Sequence, residues 1–232
     1  MPGALSNPAY RRLLLAQILS VLGSGLTTIA LALLAFEISG SEAGVVLGTA
    51  LALKMVAYVG LAPVAAAISA RLPRKPFLIT LDLARAGLVL FLPFVTEVWH
   101  IYALVFGFQA FSAAFTPTFQ ATIPDVLQDE ADYTQALSYA RLTYDLESLL
   151  APLLAGLVLA IASFHLLFVG TALGFLASAV LVFGVTFPKP KPGSHYLPFR
   201  KRLTRGVWIY LATPRLRGLL ALYIAVAAGT AM

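Results

Sequence analysis

Long apolar runs dominate this chain, and short polar segments separate them. A helix needs about 20 apolar residues to cross the roughly 30 Å hydrocarbon core of a bilayer. The runs are continuous and do not alternate as barrel strands must, so they predict helices. Six runs have this length: Leu13–Phe36, Gly44–Ser69, Pro76–Val95, Ile101–Phe119, Leu142–Ser163 and Leu166–Phe187. A seventh begins near Leu216, and the sequence ends inside it at Met232.

Composition supports a membrane protein. Hydrophobic residues make up 60% of the chain and charged residues 11%, whereas soluble domains contain about 25% charged residues. Mean hydropathy is +0.89. These values exclude a soluble enzyme, a disordered tail and a nucleic-acid-binding domain. The 16 Lys and Arg residues lie in clusters between the apolar runs, so we expect a lipid bilayer and no nucleic acid as partner.

The basic clusters predict the orientation of the helices. Loops rich in Lys and Arg remain in the cytoplasm. Such residues precede the first helix (Arg11, Arg12), follow the second (Arg71, Arg74, Lys75) and follow the sixth (eight residues from Lys189 to Arg217). Residues 39–42, 97–100 and 163–165, at the opposite ends, include no Lys or Arg. We therefore expect a multi-pass protein of the plasma (inner) membrane with a cytoplasmic N-terminus.

The pattern also predicts three regions. Residues 1–187 form an N-terminal six-helix transmembrane bundle, and residues 215–232 form the truncated start of a seventh helix. Residues 188–214 lie between them and are basic and proline-rich, as expected of a cytoplasmic linker between two bundles. The same segment also suits a solvated tail that lies against anionic lipid. Because the seventh helix is incomplete, we expect a missing C-terminal half.

Motifs of known enzymes are absent from the sequence. It contains no metalloprotease, serine-hydrolase, phosphate-loop or dinucleotide-binding motif. His100 and His165 fall at the outer ends of predicted helices and His195 in the linker, so they cannot pair inside the membrane. With no cysteine in the sequence, disulfides and thiolate-bound metals are excluded as well. We therefore expect no enzyme, no cofactor and no metal.

Two predicted helices carry neutral polar stripes, which require a reason inside a membrane. Steps of three and four residues place each stripe on one helix face. The first helix contributes Gln17, Ser20, Ser24 and Thr27, and the fourth contributes Gln109, Ser112 and Thr116. Phe115 and Phe119 accompany the second stripe. The stripes predict either a water-accessible substrate cavity or hydrogen bonds between helices, and the sequence does not choose between them.

Charged residues inside the helices are candidates for ion coupling. Lys54 lies about 15 Å into the second helix at 1.5 Å per residue, and Glu147 lies at similar depth in the fifth. The two can pair, or they can titrate and couple transport to protons. The remaining charges form spacings typical of helical ion pairs, Asp82 with Arg85 and Arg141 with Asp145. Their alternative role is a static network that joins helices 2, 3 and 5.

Three segments resemble a known family. They are Asn7-Pro8-x-Tyr10-Arg11-Arg12-Leu13, Ser20-x-x-Gly23-x-Gly25 and Ile123-Pro124-Asp125-Val126-Leu127. They are similar to the drug-efflux branch of the major facilitator superfamily, which includes macrolide and enterobactin exporters. The resemblance covers the whole sequence and implies an all-α integral membrane fold. A complete member has twelve helices in two six-helix bundles, so this chain resembles the N-terminal bundle plus the start of helix 7.

Two family motifs match in part, and they imply gating roles. In the loop between helices 2 and 3, Arg71, Arg74 and Lys75 match the basic positions of G-x-x-x-D-R-x-G-R-R/K, but Ala70 replaces its aspartate and Ala66 and Pro73 its glycines. We therefore expect an altered latch between the two halves. In helix 5, Pro152 and Gly156 match the antiporter motif G-x-x-x-G-P-x-x-G-G, whereas Glu147 replaces its first glycine.

The sequence thus predicts a secondary active transporter that works by alternating access. It predicts efflux of a small, partly hydrophobic solute, with protons as the candidate coupling ion. A metabolite importer of the same fold remains open, and so does a non-transporting receptor or scaffold whose basic 6–7 loop binds a cytoplasmic partner. A channel is a further alternative, but neither a ring of like charges nor a carbonyl-rich filter is visible in the sequence.

Overall fold

The computed structural model describes residues 3–69, 72–187, 212, 213, 217 and 218. The described part contains α-helices and short 3-10 turns, and no strand occurs in it. The helices are α1 (Pro8–Ser39), α2 (Ala43–Ser69), α3 (Arg74–Phe91), α4 (Val98–Val126), α5 (Glu130–Ile161) and α6 (His165–Phe183). The 3-10 turns are Ala4–Ser6, Gly40–Glu42 and Leu92–Phe94. The predicted all-α class holds for the described residues.

Five segments of the described chain are long and apolar enough to cross a membrane. The first, Pro8–Ala65, is 58 residues long and contains α1 and most of α2. One crossing needs about 20 residues, so this length suffices for two. Between α1 and α2 the backbone turns at Gly40, whose φ of 52° is a conformation that glycine adopts without steric cost. That α1 and α2 cross separately, for six crossings in all, remains a prediction.

Two predicted helix boundaries are wrong. The structure extends α4 to Val126, beyond the predicted end at Phe119, and starts α5 at Glu130 instead of Leu142. The prediction followed hydropathy, but both helices continue into polar sequence. Asp129 caps α5, because its carboxylate accepts hydrogen bonds from the N–H groups of residues 131 (2.8 Å) and 132 (3.2 Å). Residues 120–141, which lie between the fourth and fifth apolar runs, are therefore mostly helical.

Small residues bring α1 close to its neighbours. Helix α1 packs against α5 and α6. Helix α4 packs against α2 and α3. Helix α3 also packs against α6. A Cβ atom built on Gly25 would lie 2.6 Å from the Cβ of Ala151 in α5, and one built on Gly174 in α6 would lie 3.1 Å from the carbonyl oxygen of Leu19. Such contacts let helix backbones approach closely.

The outer faces of α2 and α5 carry large apolar side chains that the described residues do not cover. Leu149, Leu153 and Leu157 of α5 are 71%, 59% and 60% exposed, and Val45 and Val59 of α2 are 72% and 78% exposed. These faces match the expectation that a membrane protein presents apolar side chains outward.

The chain divides into two units, Met1–Lys189 and Pro190–Met232. The first unit contains all six helices. The predicted linker, residues 188–214, and the predicted seventh helix, residues 215–232, lie outside the described residues except for positions 212, 213, 217 and 218. Arg71 of the predicted gating motif also lies outside them.

Candidate functional site

A cavity of about 370 Å³ lies among five of the helices. Its walls combine hydroxyl, amide, aromatic and charged side chains. The lining residues are Gln17, Ser20, Val21 and Ser24 of α1, Lys54, Met55 and Tyr58 of α2, Arg85 of α3, Ser112, Phe115, Thr116, Phe119 and Gln120 of α4, and Tyr144 and Glu147 of α5. The structure thus brings residues of both predicted polar stripes together with three of the predicted charged residues.

The α1 stripe divides between the cavity and helix packing. Gln17 and Ser20 are buried, and the hydroxyl of Ser24 donates to the carbonyl of Ser20 at 3.1 Å. Thr27 lies outside the cavity lining. Its hydroxyl donates to the carbonyl of Gly23 at 2.9 Å and lies 3.4 Å from the hydroxyl of Thr171 in α6. Within this one stripe, three residues line the cavity and Thr27 contacts a neighbouring helix.

The α4 stripe is longer than the sequence analysis proposed. Ser112 and Thr116 line the cavity, and Gln120 continues their row one turn further. Gln120 follows Thr116 by four residues, and this spacing is the sequence signal that identifies it. Gln109 is buried, but it is outside the lining.

Aromatic side chains supply much of the cavity wall. Phe115 and Phe119 stack with their ring centroids 5.8 Å apart. Two further lining residues, Tyr58 and Tyr144, were missed by sequence reasoning. Tyr58 follows Lys54 by four residues and Tyr144 precedes Glu147 by three, so each shares a helix face with a charged residue. That spacing is the signal that identifies them.

Arg85 and Asp82 form a fully buried ion pair at the cavity edge. The Nη2 group of Arg85 donates to the carboxylate of Asp82 and, at 3.0 Å, to the hydroxyl of Ser20. The other carboxylate oxygen of Asp82 accepts from the hydroxyl of Ser178 in α6 at 2.8 Å. The guanidinium carbon of Arg85 lies 4.2 Å from the ring centroid of Phe115 and 4.5 Å from that of Phe175.

The prediction of one static network across helices 2, 3 and 5 is wrong. The Asp82–Arg85 pair joins α3 to α1 and α6 instead. Arg141 and Asp145 form a separate pair at 3.6 Å within α5, and their side chains are 80% and 59% exposed. Sequence spacing identified both pairs, but it does not tell which neighbouring helices a buried pair contacts.

Lys54 and Glu147 line the same cavity from α2 and α5. Both are partly buried, and the ion pairs within 4.0 Å among the described residues do not join them. Glu147 lies against α1, since a Cβ atom built on Gly25 would lie 2.9 Å from its Oε1 atom. The predicted direct pairing is therefore not present in this conformation, although the two side chains share one space.

The predicted gating residues that the structure describes, Arg74, Lys75, Pro152 and Gly156, are not part of the cavity lining. At the end of the bundle where α1 begins, Arg74 pairs with Asp125 at 3.1 Å, and Lys75 donates to the carbonyl of Val185 at 3.0 Å. Pro152 and Gly156 lie on the exposed face of α5. A Cβ atom built on Gly156 would meet nothing within 4 Å.

These features suit the reversible binding of a small solute. The volume lies at the lower end of ligand pockets, which measure roughly 300–1,000 Å³. Among the described residues, no group of three or more His, Cys, Asp or Glu side chains could hold a metal ion. Long apolar helices around a polar, charged cavity are typical of a multi-pass membrane transporter.

Comparison with known proteins identifies the family. The sequence profile of the Major Facilitator Superfamily matches residues 13–232, and the chain belongs to this superfamily of membrane transporters. It is 31% identical over 187 residues to the "Uncharacterized MFS-type transporter YfiS" of Bacillus subtilis (strain 168), an alignment that covers 77% of this chain and 44% of that protein. The aligned part of the chain therefore covers less than half the length of this relative. No solved structure matches the chain.

Family membership supports the coarser part of the expected function. Members carry small molecules across membranes, so the family points to a multi-pass transporter and not to an enzyme.

Proposed function

We propose that this bundle is the N-terminal half of a secondary active transporter that exports a small, partly hydrophobic solute by alternating access, with protons as the coupling ion. In this proposal residues 1–187 form six transmembrane helices, residues 188–214 a cytoplasmic linker and residues 215–232 the start of a second bundle. The N-terminus lies in the cytoplasm and the protein in the plasma membrane. The central supporting observation is the shared cavity that contains both polar stripes, Lys54 and Glu147.

The lining of the cavity supports the proposed solute. Phe115, Phe119, Tyr58 and Tyr144 offer apolar and aromatic contact, and the stripes of α1 and α4 offer hydroxyl and amide groups. A solute with both an apolar body and a few polar groups satisfies both parts of the wall. The charged lining residues are of both signs, so they do not form the ring of like charges that ion channels use.

The position of Glu147 supports proton coupling. Its carboxylate is partly buried and lines the cavity. Among the described residues, this carboxylate forms no ion pair within 4.0 Å. Ionisable groups inside membrane proteins commonly mark proton and ion pathways. A carboxyl group in a cavity that opens alternately to the two sides can take up a proton on one side and release it on the other.

Transport in oriented vesicles tests this function. The intact protein, as its cell makes it, is reconstituted, and the accumulation of two small, partly hydrophobic probes, the cation ethidium and the anion 2-naphthoate, is followed under an imposed pH gradient. We expect accumulation in inside-out vesicles. Glu147→Gln and Lys54→Met should each abolish the pH-driven part, because each removes an ionisable group from the cavity, while the amount of folded protein is unchanged.

Asp145→Asn provides the matched control, because it also neutralises an α5 carboxylate but lies outside the cavity lining. It should leave pH-driven accumulation unchanged. Unaltered pH dependence in Glu147→Gln and Lys54→Met contradicts proton coupling through these residues. Accumulation only in right-side-out vesicles would instead favour an importer, and the absence of any flux a receptor or scaffold.

A further inference from the structure

Two hydrogen-bonding atoms in the wall of the cavity have no partner. Arg85 is 2% exposed and Ser112 is 6% exposed. Among the described residues neither the Nε atom of Arg85 nor the Oγ atom of Ser112 has a hydrogen-bond partner. Buried polar atoms in native proteins are nearly always paired. Both side chains line the same cavity, and the two atoms themselves are buried in this conformation, so an acceptor group inside the cavity reaches them once the lining side chains over them shift.

The guanidinium of Arg85 is held in one orientation. It lies between the rings of Phe115 and Phe175, and its Nη2 group is fixed by Asp82 and by the hydroxyl of Ser20. Ser112 precedes Phe115 by three residues, so both lie on the α4 face that borders this guanidinium. The unpartnered Nε edge therefore belongs to a preorganised donor, which keeps the entropic cost of binding a ligand low.

The charges around the cavity favour an anionic ligand group. Among the charged side chains of the lining, Lys54 and Arg85 are cationic and Glu147 is anionic. Asp82 does not compete as a free carboxylate, because its two oxygens accept from Arg85 and from Ser178. The planar guanidinium edge matches the geometry of a carboxylate and forms strong, charge-assisted hydrogen bonds with it.

We propose that Arg85 and Ser112 form a subsite for a carboxylate group of the solute, whose apolar body contacts the aromatic wall. The solute is then a small organic monocarboxylate with an aryl or alkyl body. The identity of this solute rests on the proposed function, because it specifies what the transporter carries. The carboxylate accepts from Arg85 Nε and from Ser112 Oγ, while the ion pair with Asp82 stays intact.

Thermal unfolding of the intact protein with three matched probes tests the subsite. The probes are 2-naphthoate, 2-naphthamide and 2-naphthylmethylammonium, which share a ring system and differ in the head group. A ligand that binds only the folded state raises Tm. We expect 2-naphthoate to raise Tm the most, the neutral amide to raise it less through its carbonyl, and the ammonium probe to leave it unchanged.

Ser112→Ala should abolish the increase in Tm caused by 2-naphthoate without lowering Tm of the unliganded protein, because the removed hydroxyl has no partner to lose. Ser148→Ala is the matched control outside the cavity lining, since the hydroxyl of Ser148 already donates to its own helix. It should keep the 2-naphthoate effect. Arg85→Lys retains the positive charge but lacks Nε, and it should likewise lose the effect if the variant folds.

Three results overturn the subsite: no probe raises Tm, all three raise it equally, or Ser112→Ala responds to 2-naphthoate as the wild type does. Failure of the subsite can be distinguished from failure of the proposed transport function. A 2-naphthoate effect that depends on Ser112, without flux of any probe in vesicles, supports the subsite and contradicts transport. Ethidium flux together with an unchanged 2-naphthoate response in Ser112→Ala supports transport and contradicts the subsite.

Discussion

Gly25 determines how closely α1 approaches α5 beside the cavity. A Cβ atom at this position would lie 2.6 Å from the Cβ of Ala151 and 2.9 Å from Oε1 of Glu147. Contacts this short cannot persist, so any side chain larger than hydrogen forces the helices apart. At residue scale, the placement of Glu147 therefore depends on a glycine in a different helix.

Gly25→Ala should lower the free energy of unfolding by about 1–3 kcal/mol, the usual effect of overpacking. The matched control is Gly60→Ala in α2, where a new Cβ atom meets nothing within 4 Å. There the substitution should be neutral or stabilising by up to about 1 kcal/mol, because alanine is the better helix former. Unfolding in detergent with increasing denaturant measures both values. Equal effects of the two substitutions would contradict the close α1–α5 contact.

Individual site residues differ in how far the sequence predicts them. Spacing identified Gln17, Ser20 and Ser112, because a helix period follows directly from chain geometry. The same period extends to Tyr58 and Gln120, but without the neighbouring helices it does not show that these two positions face the cavity. The contact of Arg85 with Phe175 could not be predicted, since it depends on how α6 packs against α3.

At element scale, α3 and α6 are joined by one buried hydrogen bond. The hydroxyl of Ser178, which is 0% exposed, donates to Asp82 at 2.8 Å. Without it, one carboxylate oxygen of Asp82 would remain buried and unsatisfied. The same carboxylate also holds Arg85, so the α3–α6 contact supports the wall of the cavity.

Ser178→Ala should therefore destabilise the protein by about 1–3 kcal/mol, the cost of leaving a buried acceptor unpaired. Ser148→Ala is its control, because Ser148 is exposed and its hydroxyl donates to the carbonyl of Asp145 in the same helix. The control should change stability by less than about 0.5 kcal/mol. The midpoint of thermal unfolding reports the difference, and a Ser178→Ala protein as stable as the control argues against a structural role for the buried pair.

The helices themselves were predicted more reliably than their ends. Hydropathy detects the segment that lipid surrounds, and each of the six apolar runs corresponds to a helix of the described chain. Helix ends in polar sequence depend on local capping instead. Asp129 and the first turn of α5 illustrate this, because they are too polar for a hydropathy criterion and yet form a capped helix start.

At the scale of the whole molecule, the all-helical fold of the described residues is consistent with the family. The profile of the superfamily covers residues 13–232, and the described helices enclose a cavity that carries polar groups from five of them. In transporters built from two bundles, the site lies where both bundles contribute to it. The cavity described here would then be one side of a shared binding site.

Accessibility of Ser24 from the two sides of the membrane tests alternating access most directly. The 232 residues contain no cysteine, so Ser24→Cys introduces a single reporter into the cavity once any cysteine elsewhere in the protein is removed. Ser178→Cys, at a position that is 0% exposed, serves as the control. A membrane-impermeant maleimide should label Ser24→Cys in both right-side-out and inside-out vesicles and should not label Ser178→Cys in either. Labelling of Ser24→Cys from one side alone would contradict alternating access through this cavity.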